Sequence, residues 1–454
     1  MVGFFCVGWV WNHCSSWWWG VRRLAVAHTK KRISSMTFIS KEVGASRHVD
    51  YCRVLDSMAT DQGMKPVGTE SSAHLKTLEQ MEIMKGKITW ESVEAEDNRV
   101  INVPENAVYF LHYNKIPFLA QISKANQQGR YDFEHEGTMS TGKGITLQVC
   151  ATGLEQGNEI LQWLNSQISQ HSVFREKMIV VASPQDGTTG QTIQIIHRPE
   201  QAAEQIVLPD SITSTVDRLI HSRIQHQESL KRYGQEPKIG LLFHGPPGTG
   251  KTLLIRQIIS ECKKHTVIVP NDMAVETLRE AFRLGQYLQP SIMVLEDVDL
   301  LAPHRENTRT VDGLQELMNQ LDGLNPVNET IILMSTNRPE VLEPALASRP
   351  GRISQAIEFP LPDDAARAKL FENFLSKVES NFDTGAWSAR TKGASPAFIL
   401  ELCKRATLIA IEQAAEPVNA VEIRDQHLDA AIEELVVSGG VLTSRALGFP
   451  EPGS

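Results

Sequence analysis

The stretch IGLLFHGPPGTGKTLLIRQII, residues 239–259, decides the fold. Ile239 to Phe243 is a short apolar run of buried-strand length, and Leu253, Leu254, Ile255, Ile258 and Ile259 then recur at helical spacing. Between them lies GPPGTGKT: Gly245, Pro246, Pro247, Gly248, Thr249, Gly250, Lys251 and Thr252. This is GxxxxGK(S/T) between a strand and a helix, the context in which the pattern cradles a nucleotide's phosphates. Glycine there lets backbone amides converge on phosphate oxygens with no side chain in the way, and the helix start adds partial positive charge. Lys251 is expected to reach the β and γ phosphates of ATP and the Thr252 hydroxyl to ligate Mg²⁺, with Leu253 completing the nucleotide-binding set.

Outward from that stretch the chain alternates. Thr266 to Val269, Ile292 to Leu295, Ile331 to Met334 and Ala356 to Phe359 are further short apolar runs. Helical patterns such as Leu314, Leu317, Met318 and Leu321 separate them, which predicts a parallel sheet covered on both faces. Upstream, Pro209 and Asp210 open a helix with the stripe Ile212, Val216, Leu219, Ile220 and Ile224. An NTPase needs one acid to hold its metal and another to orient water, at the end of a neighbouring strand. IMVLEDVD, residues 292–299, supplies both: Glu296 is assigned to Mg²⁺ and Asp297 to the attacking water, while Asp299 reads as a solvated turn or helix cap. Past Pro360 and Pro362 the pattern turns wholly helical, with stripes through Leu370, Phe371 and Phe374, then Phe398, Ile399, Leu402 and Ala406, then Leu428, Ala431, Ile432 and Leu435.

With these residues in place, the segment from about Ile206 to Val436 resembles the AAA ATPases, a family of P-loop NTPases. The phosphate loop, the acidic strand end, STNRPE (335–340) and ASRPGRISQAIEFPLPD (347–363) occur in that family's order and approximate spacing. The resemblance implies that Asn337 is the sensor residue that helps place the water, and that Arg349 and Arg352 are arginine fingers directed into a neighbouring subunit's ATP. TKGASPAFILELCKRA (391–406) is similar to the family's lid segment beside the adenine, with Pro396 and Ala397 at the contact positions where the family usually has Gly-Ala. Two departures bear on function. The family usually ends its acidic strand with Asp then Glu, whereas Glu296 then Asp297 stand here, which moves each carboxylate by about one methylene. Protein-threading members carry a pore aromatic on the loop after the second strand, but this loop reads Pro270, Asn271, Asp272, Met273 and Ala274.

The remainder divides by composition. Residues 1–35 mix Trp9, Trp11, Trp17, Trp18 and Trp19 with Arg22, Arg23, Lys30 and Lys31, which suits neither a signal peptide nor a membrane anchor. They are read as a non-native or disordered extension and left out of the fold. Residues 36–86 form a poorly defined polar segment, helical at most in pieces. Residues 87–200 are read as an α+β N-terminal domain, from the β-rich runs Val108 to Leu111, Phe118 to Ile122, Ile145 to Val149, Ile179 to Ala182 and Thr192 to Ile196, and one helix carrying Ile160, Leu161, Leu164 and Ile168. Residues 206–360 are the large α/β ATPase domain, 361–437 the helical lid and 438–454 a tail. The fold class is therefore α/β: a P-loop AAA domain with a parallel sheet and an α-helical lid, behind an α+β N-terminal domain.

A formal net charge of −9 argues against a protein that coats nucleic acid or an anionic membrane, and neither partner is expected. Six cysteines scattered without CxxC pairs fit a reducing, cytoplasmic compartment. The expected function is ATP hydrolysis by a homo-hexamer that remodels or unfolds protein substrates, recruited directly or through an adaptor by the N-terminal domain. The alternative is an ATP-switched assembly chaperone or scaffold without processive threading.

Overall fold

The computed structural model describes residues 28–29, 36–43, 48–65, 67–70, 84–86, 90–94, 100–104, 106–124, 145–183, 192–200, 206–235, 238–301, 310–323, 329–342, 353–414 and 421–435. The extension read over residues 1–35 lies outside them except for His28 and Thr29, as does the tail at 438–454. The chain divides into two compact units, residues 1–175 with 182–195, and residues 176–181 with 196–454.

In the first unit β1 (Thr37–Val43), α1 (His48–Asp61), β2 (Val67–Glu70), β3 (Met84–Gly86), β4 (Trp90–Glu94), β5 (Val100–Pro104), β6 (Asn106–Tyr113), β7 (Ile116–Lys124), β8 (Ile145–Ala151) and α2 (Leu154–Gln170) follow one another. Six strands form an antiparallel sheet in the order β1-β8-β7-β6-β2-β3, and β4 pairs separately with β5. Asn114 and Lys115 both take positive φ, 49° and 67°, as a two-residue hairpin turn between β6 and β7 requires. The helical stripe of α2 is buried at Ile160, Leu161, Leu164 and Ile168, and an added Cβ on Gly157 would lie 2.5 Å from Ile39 Cδ1, so this helix sits close upon β1.

The polar reading of residues 36–86 does not anticipate the fourteen residues of α1. The reason is that its buried side includes Asp50 and Tyr51 beside Val49, Cys52, Leu55 and Ala59. The Asp50 carboxylate accepts from the Ser172 hydroxyl and from Val173 N at 2.8 Å, and the Tyr51 hydroxyl donates to Asn165 Oδ1 at 2.8 Å. Satisfied polar groups of this kind can be buried at little cost, yet they erase the apolar period from the sequence.

β9 (Met178–Ala182) gives all but its last residue to the second unit, and β10 (Thr192–Ile196) gives it only Ile196. There α3 (Asp210–Val216) runs on through a π-helical turn, Asp217–Ser222, into Arg223–Gln225 and is followed by α4 (Gln227–Arg232). Next come β11 (Ile239–His244), α5 (Lys251–Glu261), β12 (Thr266–Pro270), α6 (Val275–Tyr287), β13 (Ser291–Leu295), a 3-10 turn at Val298–Leu301, α7 (Thr310–Gly323), β14 (Thr330–Thr336) and β15 (Gln355–Glu358). Six of these strands lie parallel in the order β9-β12-β13-β14-β11-β15. Ile212, Val216 and Ile220 from the α3 stretch, Leu254, Ile255 and Ile258 from α5, and Leu241, Phe243, Val267, Ile292 and Leu333 from the strands share one core. All five apolar runs predicted from Ile239 onward are strands of this sheet. Ile179 to Ala182, which composition groups with the N-terminal strands, belongs instead to β9 and pairs with β12.

Beyond the sheet, α8 (Asp364–Phe374), β16 (Glu379–Asn381), α9 (Thr384–Arg390), α10 (Pro396–Gln413), β17 (Glu422–Arg424) and α11 (Asp425–Glu433) enclose a separate core through Leu370, Phe371, Trp387, Phe398, Leu402 and Leu428. Asp363, Asp383 and Ser395 cap the starts of α8, α9 and α10 with side-chain acceptors. The short parallel pair of β16 with β17 interrupts what the sequence reads as wholly helical. Among the described residues no helix is long and apolar enough to cross a membrane.

Candidate functional site

Parallel pairing sets the C-terminal ends of β11, β14 and β13 side by side, with His244 opposite Thr336 and Leu295 opposite Met334. The phosphate loop, the acidic turn and Asn337, which follow those strands, therefore gather on one edge of the sheet. The loop after β11 turns sharply at Gly245, whose φ is +143° and where a Cβ would fall 2.3 Å from Phe359 O. Gly248, at φ +74°, leaves no room for a side chain either: its Cβ would meet Ser395 Oγ at 2.8 Å and Ala397 Cβ at 2.9 Å. The start of α10 thus rests on the loop, and Ala397 N donates to Gly248 O at 3.2 Å. Pro396 is the first residue of α10, where a missing N–H costs no helix bond.

Within the loop the buried Thr249 donates its hydroxyl to Pro246 O at 2.9 Å, while Pro246 and Pro247 are exposed. Lys251, 6% exposed, opens α5 behind Gly250, and its Nζ donates to Gly245 O and Pro246 O, both at 2.8 Å. Burial holds its pKa below the ordinary lysine value, against the opposing fields of Asp297 and Asp299. Thr252 and Leu253 follow, half-buried in the first turn.

Opposite the loop, Glu296 and Asp297 are exposed at the end of β13. Asp297 takes φ +50°, a left-handed conformation that Asp tolerates better than most residues. Its backbone N–H donates to Ser335 Oγ at 3.2 Å, its carbonyl accepts from Leu300 N at 2.9 Å, and its Oδ1 accepts from Asn337 Nδ2 at 3.1 Å. The two residues read as water-orienting, from segments forty residues apart, are thus hydrogen-bonded. Asp299 is not the solvated cap that the sequence suggests. It is half-buried, and its Oδ1 accepts from the Thr336 hydroxyl at 2.8 Å and from Asn337 N at 3.3 Å. The sequence assigns no role to Ser335 or Thr336 and reads Asp299 only as a turn or cap; the signal lies in the hydroxyl pair directly before Asn337 and in the two-residue spacing of the acids. Arg349 and Arg352 lie outside the described residues.

On the loop read as lacking a pore aromatic, Ala274 N donates to Asp272 Oδ1 at 3.0 Å, and Met273 is half-buried one residue before the Ala274 N-cap of α6. Among the described residues no group of three or more His, Cys, Asp or Glu is placed to hold a metal ion. A threonine hydroxyl with one carboxylate is instead the sparse oxygen set that Mg²⁺ accepts when phosphates and waters complete its octahedron, and Thr252 with Glu296 fits that description.

Residues 241–361 match the family described as ATPase family associated with various cellular activities (AAA). The chain is 30% identical over 251 residues to a proteasome-activating nucleotidase of Saccharolobus islandicus (strain M.16.27), covering 52% of this chain and 64% of the relative. It is 29% identical over 268 residues to the proteasome-activating nucleotidase of Saccharolobus solfataricus, covering 54% and 68%. The match to the S. islandicus relative thus spans less than two thirds of that protein's length.

Proposed function

Because the chain carries an AAA-type ATPase domain, we propose that it hydrolyses ATP as an oligomer, a ring of six copies, and uses the cycle to remodel or unfold protein substrates. The observation that carries this reading is the meeting of three strand ends: a glycine loop with Lys251, a paired acid set, and Asn337 hydrogen-bonded to Asp297. The loop amides and Lys251 hold the β and γ phosphates, exchanging the lysine's carbonyl partners for phosphate oxygens. Thr252 and Glu296 would hold Mg²⁺, which would supply positive charge against the phosphates. Asp297 accepts a proton as water attacks the γ phosphorus and the bond to the bridging oxygen of ADP breaks. Asn337 fixes the water from the side, since an amide can donate and accept at once. Arg349 and Arg352 of a neighbouring copy stabilise the charge spreading over the γ oxygens, and Pro396 with Ala397 lies by the adenine.

Lys251→Ala should lose nucleotide binding in a titration with fluorescent ATP, while Asp297→Asn should bind normally and turn over at least about a hundredfold more slowly. Retained tight binding by Lys251→Ala, or full-rate turnover by Asp297→Asn, sinks the assignment. The relatives' name supports a protein substrate, and the N-terminal unit is the natural recruiter of substrate or adaptor. A second reading, an ATP-switched assembly chaperone or scaffold, is favoured by Pro270 to Ala274, which offers no aromatic grip. Stimulation of turnover by unfolded polypeptide selects the first; indifference to every polypeptide selects the second.

A further inference from the structure

We infer that Asp299 is a positioning residue that aims the Asn337–Asp297 pair, a role that rests on the ATP-hydrolysis reading above and refines it. Three consecutive residues at the end of β14 each grip the acidic turn: Ser335 Oγ takes the Asp297 N–H, the Thr336 hydroxyl donates to Asp299, and Asn337 donates from its backbone to Asp299 and from its side chain to Asp297. The direction of the central bond is fixed by its neighbours. Thr336 Oγ1 accepts from Arg338 N at 3.0 Å, so its single proton is left to point at Asp299 Oδ1, 2.8 Å away. Thr336 is fully buried and Ser335 nearly so, which shelters the bonds these two make to Asp299 and Asp297, while those of Asn337 face solvent.

Asp299 Oδ1 thereby anchors residue 337 at two points, the hydroxyl before it and its own N–H, and only the Asn337 side chain remains to be aimed. That side chain reaches Asp297, an acid one methylene shorter than glutamate and held in a left-handed turn at φ +50°. A shorter acid has less slack to follow a wandering partner, and misplacement by about 1 Å can cost on the order of a hundredfold in rate. The shortened acid and the doubly anchored sensor strand belong together: the second compensates for the first.

The test is steady-state ATP turnover by the full chain, with fluorescent-nucleotide affinity and thermal melting measured alongside. Asp299→Ala should lower kcat by about tenfold or more with KM for ATP within about twofold, and Thr336→Val should move kcat the same way. The double variant should lie close to the slower single and well short of the product of the two losses, because the Thr336–Asp299 bond that both remove can be lost only once. Asp299→Asn keeps an acceptor oxygen and should return kcat to within about threefold of the parent. Unchanged kcat in Asp299→Ala overturns the inference, and so does Asp299→Asn being as slow as Asp299→Ala, since Asp299 would then be the proton acceptor itself. Should the alanine variant not fold, Thr336→Val and Asp299→Asn decide the matter by the same two outcomes. Failure of the underlying reading looks different, because turnover that survives Lys251→Ala is seen without touching Asp299.

Discussion

His265 stands buried just before β12, its Nδ1 without a hydrogen-bond partner, and its environment keeps the ring neutral. Burial foremost, then the Arg198 guanidinium, pushes its pKa from 6.5 down to about 4, against a smaller opposing pull from Glu329. The unfolded imidazole therefore binds its proton more tightly between about pH 6.5 and 4. Stability tied to this ring is fully present above that window and is lost as the pH falls through it, by on the order of 3 kcal/mol in all. Denaturant midpoints of the parent chain should fall between pH 7 and 5, and His265→Gln should flatten that slope; an equal slope in both proteins rejects the assignment. Acid losses from Glu316, which Arg279 holds below the usual carboxylate range, are centred below its ordinary value of 4.5 and so fall beneath the pH 7 to 5 range over which the slopes are compared. Neither His265 nor the anchoring role of Asp299 is legible in the sequence, whereas GPPGTGKT is. The loop states its chemistry because its function is local, with glycine, lysine and threonine all serving one loop conformation. Asp299 and His265 owe their behaviour to β14 and to Arg198, which are distant in the chain, and spacing carries no trace of that.

At the scale of elements, periodicity recovers what one face of water or oil dictates and loses what a distant partner dictates. β11 to β14 are short apolar runs because both faces of a parallel sheet are covered, and each is readable alone, whereas β15 lies at the sheet edge with only Ile357 buried. α1 is not, since Asp50 and Tyr51 point inward to partners more than a hundred residues on. β9 is readable as a strand but not as a member of the ATPase sheet, because its pairing with β12 is a matter of register alone. Val267 N donates to Lys177 O at 2.8 Å and Asn271 N to Val181 O at 2.7 Å, so β9 saturates an edge of β12 that leads straight into the Pro270 to Ala274 loop. Arg198 adds to the same seam, donating to Ile259 O, Cys262 O and Glu176 O at 3.1 to 3.2 Å and also to His265 O. A truncated chain beginning at Ile206 loses both and bares β12. It should melt several degrees below one beginning at Glu176 and aggregate on standing, as an uncovered strand edge invites pairing with another chain. Equal melting temperatures and equal solubility would show that β9 is dispensable to the sheet.

For the whole molecule, the question is where the remaining positive charge comes from. Phosphoryl transfer spreads negative charge over the γ oxygens, and one lysine held deep in the loop cannot face all of them. Arg349 and Arg352 lie in the chain between β14 and β15, and the resemblance implies that they reach into a neighbouring copy's site. Such a contact is head-to-tail, and a head-to-tail contact that closes makes a ring. If the fingers act across that contact, two dead proteins can repair one another. Lys251→Ala subunits have no working loop but keep both fingers; subunits carrying Arg349→Ala and Arg352→Ala together have a working loop and no finger to lend. In a random equal mixture, a site is complete when a working loop meets an intact finger, which happens at about a quarter of positions. Mixing the two inactive variants, with subunit exchange allowed, should therefore raise turnover from near zero to as much as about a quarter of the parent rate per subunit. The parent's specific activity should also fall on dilution below the assembly concentration. Fingers that serve their own subunit predict neither result: the mixture stays dead and dilution changes nothing, because no site would then need a second copy to complete it.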